Sequence, residues 1–219
     1  MHKTVQNLLD IQKKINSCLN NLKIHKVPKI IAVSKTFTIE AIKPLIEYGH
    51  SDFGENKVQE AIEKWSDIKS SNKSIKLHLI GNLQTNKVKF AVKLFDYIHS
   101  VDTEKLAKKI SEEQIKQKKR VKIFIQVNIG DEKQKSGVSV SSLSSFYTYC
   151  KNLDLDIIGL MCIPPIDKSM DFFFREMNSL NKKLSLDELS MGMSSDYITA
   201  VKNSSTYLRI GSNIFGKRS

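Results

Sequence analysis

Eight short apolar runs recur along this chain, each ending in a polar or glycine-containing break, and most are followed by a stretch with helical spacing. They cover residues 29–35, 52–56, 77–81, 97–102, 121–128, 156–163, 189–194 and 207–211. Runs this short and this apolar read as strands inside the molecule. Their starts lie roughly 20 to 35 residues apart, the length of a strand, a helix and two short loops. Strand alternating with helix implies parallel pairing through crossover helices. Eight such units close a (β/α)8 TIM barrel. An open doubly wound sheet follows the same periodicity and is the alternative.

The segments between the runs carry helix signals. Ile39, Ile42, Leu45 and Ile46 share a face, with Gly49 placed as a C-terminal cap. Val58, Ala61, Ile62 and Trp65 form a second stripe. Leu106, Ala107 and Ile110 form a third, opened by Thr103 as N-cap with Glu104 in the first turn. Residues 5–22 are amphipathic through Leu8, Leu9, Ile11, Ile15, Leu19 and Leu22, which predicts an extra helix before the first strand. No linker, repeat or low-complexity tract cuts the chain, so residues 1–219 read as one domain.

Composition narrows the function. The net charge of +12 invites a nucleic-acid reading. Yet the only arginines are Arg120, Arg175, Arg209 and Arg218, and the lysines are scattered over nearly every helix. A phosphate-reading face would favour the bidentate geometry of arginine, so no specific nucleic-acid partner is expected. No apolar stretch approaches the roughly 20 residues that cross a bilayer. Cys18, Cys150 and Cys162 are odd in number and lack metal-ligand spacing, which points to a reduced, cytoplasmic compartment and no metal. No broad apolar surface stripe is evident, and a monomer is expected.

In a closed barrel the carboxyl ends of the strands share one mouth, where such folds place their chemistry. Lys35 ends the first run, so its amine either snorkels to solvent or stays buried with a lowered pKa, a nucleophile toward carbonyls. The other polar ends are Asn56, the region from His78 to Gln84, Asp102, Asn128, Ser194 and Arg209. After the seventh run, Ser194 or Ser195 would cap the next helix; after the eighth comes Gly211-Ser212. Paired Gly/Ser turns after strands seven and eight make a phosphate cradle. Arg209 sits in an apolar run, where a guanidinium needs an anion or an aromatic nitrogen as partner. Amine, cradle and guanidinium are neighbours in a closed barrel and describe a pocket for a phosphorylated aldehyde with a heteroaromatic ring. His78 and His99 read as satisfied interior residues, Cys162 as packing, and the acids, Asp52 and Glu55 among them, show no paired catalytic spacing. No dinucleotide-binding or Walker loop is present.

Seven blocks in order carry a resemblance: AVSKT at 32–36, FGENKVQE at 53–60, HLIGNLQTNK at 78–87, QVNIGDEKQKSG at 126–137, GLMCIP at 159–164, LSMGMSSD at 189–196 and RIGSNIFGKR at 209–218. Together they resemble the pyridoxal 5′-phosphate homeostasis proteins, the YggS/PROSC family. The resemblance implies a barrel like the N-terminal domain of alanine racemase, binding pyridoxal 5′-phosphate (PLP). By block position, Lys35 looks like the Schiff-base lysine and Arg209 like the group facing the pyridine nitrogen. Ser194, Gly211 and Ser212 look like the phosphate site, with Asn56 and Asn128 as lesser pocket-lining positions. Departures are Ser212 for a common threonine, Asn82 for a proline, and Ser195 where an acid is frequent. The sequence stops after the FGKR block, so no following β domain, and with it no racemase tyrosine opposite the lysine, is expected. The function implied is cofactor storage or delivery without substantial catalysis, with PLP-dependent apoenzymes as possible recipients. A small PLP-dependent racemase and a Schiff-base aldolase are the enzymic alternatives.

Overall fold

The computed structural model describes residues 1–165 and 169–216, so Lys217 and Arg218 of the last block lie outside the described residues. Helix α1 (Lys3–Leu22) precedes β1 (Lys29–Val33), followed by α2 (Ile39–Glu47), β2 (Asp52–Glu55), α3 (Val58–Ser71) and β3 (Lys76–Leu79). A 3-10 turn at Thr85–Lys87 leads into α4 (Val88–Leu94), then come β4 (Tyr97–Val101), α5 (Glu104–Gln117), β5 (Lys122–Val127) and α6 (Leu143–Asn152). The chain continues through β6 (Asp156–Cys162), α7 (Met170–Lys183), β7 (Glu188–Met193), α8 (Tyr197–Lys202), β8 (Tyr207–Ile210) and α9 (Ser212–Phe215). The eight strands pair in sequence order and close, β8 lying parallel to β1 with Arg209 opposite Ile31. Each predicted run holds one strand, and the barrel prevails over the open sheet.

Strand alternation sorts the side chains into two layers. Ala32, Leu208 and Ile210 point outward into the large core shared with the helices. Ile31, Tyr97, Phe124, Met161 and Tyr207 form a separate cluster inside the barrel. Arg209, two residues beyond Tyr207, keeps the inward face and emerges near the mouth. Helix α1 buries Leu8, Ile11, Ile15 and Leu19 as its spacing predicts, while Leu22 lies 46% exposed. Four such aliphatic burials stabilise by roughly 1.5 to 3 kcal/mol each. Asn7 adds a bond from its amide to the Ile214 carbonyl at 2.8 Å, tying α1 to α9 just past the last strand. Thr103 caps α5, its hydroxyl accepting from the Leu106 N–H, and Gly49 follows α2 at φ 95°.

One capping expectation fails. Helix α8 begins after Asp196, and neither Ser194 nor Ser195 caps it. Asp196 instead turns back, its Oδ1 accepting the Met193 N–H at 2.5 Å, and the Ser194 hydroxyl serves β8. The reason lies at Gly192, whose φ of 92° bends the chain where a Cβ would stand 2.5 Å from that of Ala200. The bend coincides with a register shift between Ser190 and Met193 and swings Ser194 over the mouth.

Candidate functional site

A cavity of about 550 Å³ opens at the mouth, within the size range of small-molecule sites. Lys35, Asn56, Ser194, Arg209, Gly211 and Ser212 all line it, so six of the seven expected positions converge. Val33, Phe37, Ile80, Ile163, Met193, Ser195 and Gly216 complete the wall. Among the described residues both charged lining groups are cations, and none of the lining is acidic. Asn128 is not among the lining residues. Its amide donates to the Glu132 carbonyl at 2.9 Å and accepts the Glu132 N–H at 3.1 Å, so it shapes the loop after β5.

Lys35 is half-buried in a turn immediately past β1, and that turn is clamped from behind. Ser34 Oγ donates to Glu55 Oε1 at 2.7 Å. The same oxygen accepts from Trp65 Nε1 and Lys64 Nζ, each at 2.9 Å. Lys64 also reaches the Ser34 carbonyl at 2.9 Å and Glu60 Oε1 at 3.0 Å. Glu60 in turn accepts the Thr36 N–H at 2.6 Å. Thr36 has φ 67°, a left-handed conformation that costs a β-branched residue on the order of 1 to 3 kcal/mol. The groups on both sides of Lys35 therefore fasten to one cluster on β2 and α3. Burial pushes the Glu60 carboxyl upward, but the Thr36 N–H and Lys64 outweigh it and leave it below the ordinary value.

The opposite wall is built differently. Ser194 Oγ accepts the Gly211 N–H at 3.3 Å and the Asn213 N–H at 3.5 Å, while Asn213 donates to the Ser194 carbonyl at 2.7 Å. The two bonds to the hydroxyl are long. A hydroxyl and two backbone N–H groups thus gather at one point, the donor set an anion needs. Phe37 and Phe215 stack at 4.8 Å beside it.

Between the walls lies Arg209, only 5% exposed. Its Nη1 donates to the carbonyl and to the hydroxyl of Ser190, both at 2.7 Å, and its Nη2 donates to the Cys162 carbonyl at 2.8 Å. Burial lowers its pKa, with Cys162 and Asp196 opposing, and a guanidinium remains charged throughout the working range. Nε makes no hydrogen bond among the described residues. His78 and His99 are fully buried and bonded to each other at 3.0 Å, satisfied as expected. Cys162 is buried too, and burial pushes its thiol up to about 12, so it packs and does not react. Sequence reasoning missed the clamp of Glu55, Glu60, Lys64 and Trp65 and the aromatic wall at Phe37. The apolar residue after AVSKT was the one available sign of that wall.

This geometry belongs to a class with a known outline. The family model for the alanine racemase N-terminal domain matches residues 7–219. A pyridoxal phosphate homeostasis protein of Pasteurella multocida is 37% identical, the match covering 97% of each chain. The structure of PipY of Synechococcus elongatus with PLP bound has a TM-score of 0.82 at 32% identity, over 92% of this chain and 100% of that one. Alanine racemase of Clostridium difficile shares the fold at 14% identity, with a TM-score of 0.70 over 93% of this chain and 56% of the racemase. The chain belongs to the pyridoxal phosphate homeostasis protein family, within the alanine racemase N-terminal domain family.

Proposed function

We propose that this protein binds pyridoxal 5′-phosphate at the barrel mouth and serves its homeostasis, holding and releasing the cofactor without substantial catalysis. One observation carries the reading: Lys35 and Arg209 share a cavity with a hydroxyl and N–H cradle, and no acidic residue lines it among the described residues. Such a lining complements an anionic, aromatic aldehyde of modest size. When bound, pyridoxal phosphate supplies an aldehyde that condenses reversibly with a primary amine. Lys35 offers that amine as a Schiff-base lysine, presented by the clamped turn. Ser194, with the Gly211 and Ser212 backbone, takes the phosphate. Arg209 faces the ring nitrogen as a permanent donor, which keeps that nitrogen unprotonated and weakens the ring as an electron sink. Asn56 borders the site from just past β2, and Asn128 shapes the loop after β5.

The lining also supports a binding role over a racemase. Among the described lining residues there is no His, Tyr, Cys, Asp or Glu to stand opposite Lys35. Two-sided proton transfer needs such a second group. An open mouth lets a competing amine, on an apoenzyme for example, carry the aldehyde away. The three free cysteines suit a cytoplasmic setting, and among the described residues no helix is long and apolar enough to cross a membrane. We take the protein as a monomer with no specific nucleic-acid partner.

Titration of the purified protein with pyridoxal phosphate tests the reading. A saturable visible band is expected, removed by excess small amine, with pyridoxal lacking the phosphate bound about tenfold or more weakly. A colourless protein, or equal affinity for the two aldehydes, rejects it. Racemisation at ordinary enzymic rates rejects the non-catalytic part alone.

A further inference from the structure

Beneath the mouth the barrel interior holds a line of polar groups that cofactor binding leaves unexplained. Arg209 Nη1 donates to Ser190 Oγ at 2.7 Å, and Ser190 Oγ lies 2.8 Å from His99 Nδ1. His99 Nε2 lies 3.0 Å from His78 Nδ1, and His78 Nε2 lies 3.0 Å from Asp52 Oδ1. The line runs from the mouth to the opposite face, crossing from β8 and β7 to β4, β3 and β2. Both imidazoles are pinned by stacking, His78 on Tyr97 at 4.2 Å and His99 on Phe124 at 4.3 Å. Ordinary barrels fill this space with branched aliphatic layers, so five linked polar groups here need a reason.

Donor chemistry gives the line one direction. A guanidinium only donates and a carboxylate only accepts. Burial holds both histidines below their ordinary pKa, and each is therefore neutral, with a single ring N–H. Burial raises the Asp52 carboxyl, but the hydrogen bonds from His78 and Ser51 and the nearby Lys29 charge bring it below its ordinary value, so Asp52 is ionised. Its neighbours are Lys29 of β1, Ser51, His50 and His78, and its second oxygen accepts from the Ser51 hydroxyl at 2.7 Å. Facing that carboxylate, His78 must carry its proton on Nε2, which leaves Nδ1 to accept. His99 must then carry its proton on Nε2 and accept at Nδ1. Ser190 must spend its hydroxyl proton on His99, keeping a lone pair for Arg209. The reverse arrangement would set a bare His78 nitrogen against a carboxylate.

We propose that Asp52 is a positioning residue for Arg209, acting through the one-way hydrogen-bond chain Arg209 to Ser190 to His99 to His78 to Asp52. It aims the guanidinium from the far side of the barrel and rests on the proposed PLP site only for what Arg209 meets there. Without the carboxylate, both proton arrangements become available, and in one of them the Ser190 hydroxyl turns away from His99 and competes with Arg209.

Histidine-selective 15N spectra of the ligand-free protein test the chain without any cofactor. Wild type is expected to show His78 and His99 each as the single Nε2–H tautomer. Protonated Nδ1 on either ring overturns the proposal, whatever binds at the mouth. Asp52→Leu is expected to give mixed tautomers, a shifted absorbance and pH profile of bound pyridoxal phosphate, and about tenfold weaker binding. Asp52→Asn, which keeps an acceptor oxygen, is expected to restore all three. An Asp52→Leu protein with wild-type tautomers and spectrum overturns the assignment. Should that variant fail to fold, the wild-type tautomers and the Asn variant decide. A wild type with the expected tautomers but no cofactor band defeats the PLP reading and leaves the chain standing.

Discussion

The two walls of the mouth hold their functional groups by opposite means. On the β1 side, the turn carrying Lys35 is fastened by short bonds from Ser34 to the fully buried Glu55 carboxylate and from Lys64 to the Ser34 carbonyl, and the Trp65 indole holds the same carboxylate. On the β7–β8 side, the Ser194 hydroxyl meets two backbone N–H groups only at 3.3 and 3.5 Å, and a shorter bond runs from Asn213 to the Ser194 carbonyl at 2.7 Å. A nucleophile that must meet a carbonyl at a set angle gains from a rigid seat. A cradle for a spherical anion needs only donors that can close on it. On the proposed reading, the clamp couples position to stability and the cradle couples position to ligand.

Substitutions can break that contrast, starting with the largest effect. Lys35→Ala is expected to abolish the covalent visible band while leaving the melting temperature near wild type and weak phosphate-dependent binding in place. A retained band would show that another amine does the work. Glu55→Gln should strike the clamp. It leaves Lys64, whose side chain is 9% exposed, with one of its two carboxylate partners among the described residues, Glu60 at 3.0 Å. Losing one buried partner in this way costs roughly 2 kcal/mol, or roughly 6 °C in melting temperature for a chain of this size. Urea denaturation measures it, and a change below about 0.5 kcal/mol would mean the clamp is ornamental. Ser194→Ala should do the reverse, weakening PLP binding about fivefold to tenfold by equilibrium titration while moving stability little. A large stability loss there would erase the distinction between the walls.

The smallest effect is one of pH. The folded pKa of Glu60 lies below its unfolded value of 4.5, so its contribution is present above that pH and is lost as acid protonates it. Amide exchange at Thr36, whose N–H it accepts, should show a step below pH 4.5. The cradle contacts at Gly211 involve no titrating group and should show none. A matching step at Gly211 would couple the walls.

Most of the barrel was legible because strand burial on both faces leaves an apolar run that periodicity detects, as at Ile30-Ile31-Ala32-Val33. The meeting of the two turns at the mouth was legible as well, since Ser194 and Gly211 stand at the ends of neighbouring strands. The clamp was not. Glu55, Glu60, Lys64 and Trp65 carry no helix or strand signal as a set, and only the packing of α3 against β1 and β2 brings them to Ser34. Nor was the line of interior groups, because His78 and His99 each read as a lone histidine until strand pairing sets β3 beside β4. Asn128 misled for a physical reason: a polar residue at a strand end can satisfy its amide within its own loop. Ser194 misled in the same way as a helix cap, its hydroxyl being drawn across to the next strand by the Gly192 bend.

Everything proposed for the mouth depends on which nitrogen meets the aldehyde. Borohydride reduction of the protein loaded with pyridoxal phosphate, followed by peptide mass mapping, identifies it directly. The account predicts a stable adduct on the peptide containing Lys35, formed in Ser194→Ala at raised ligand concentration and absent in Lys35→Ala. An adduct confined to another lysine, with Lys35 unmodified, would contradict it.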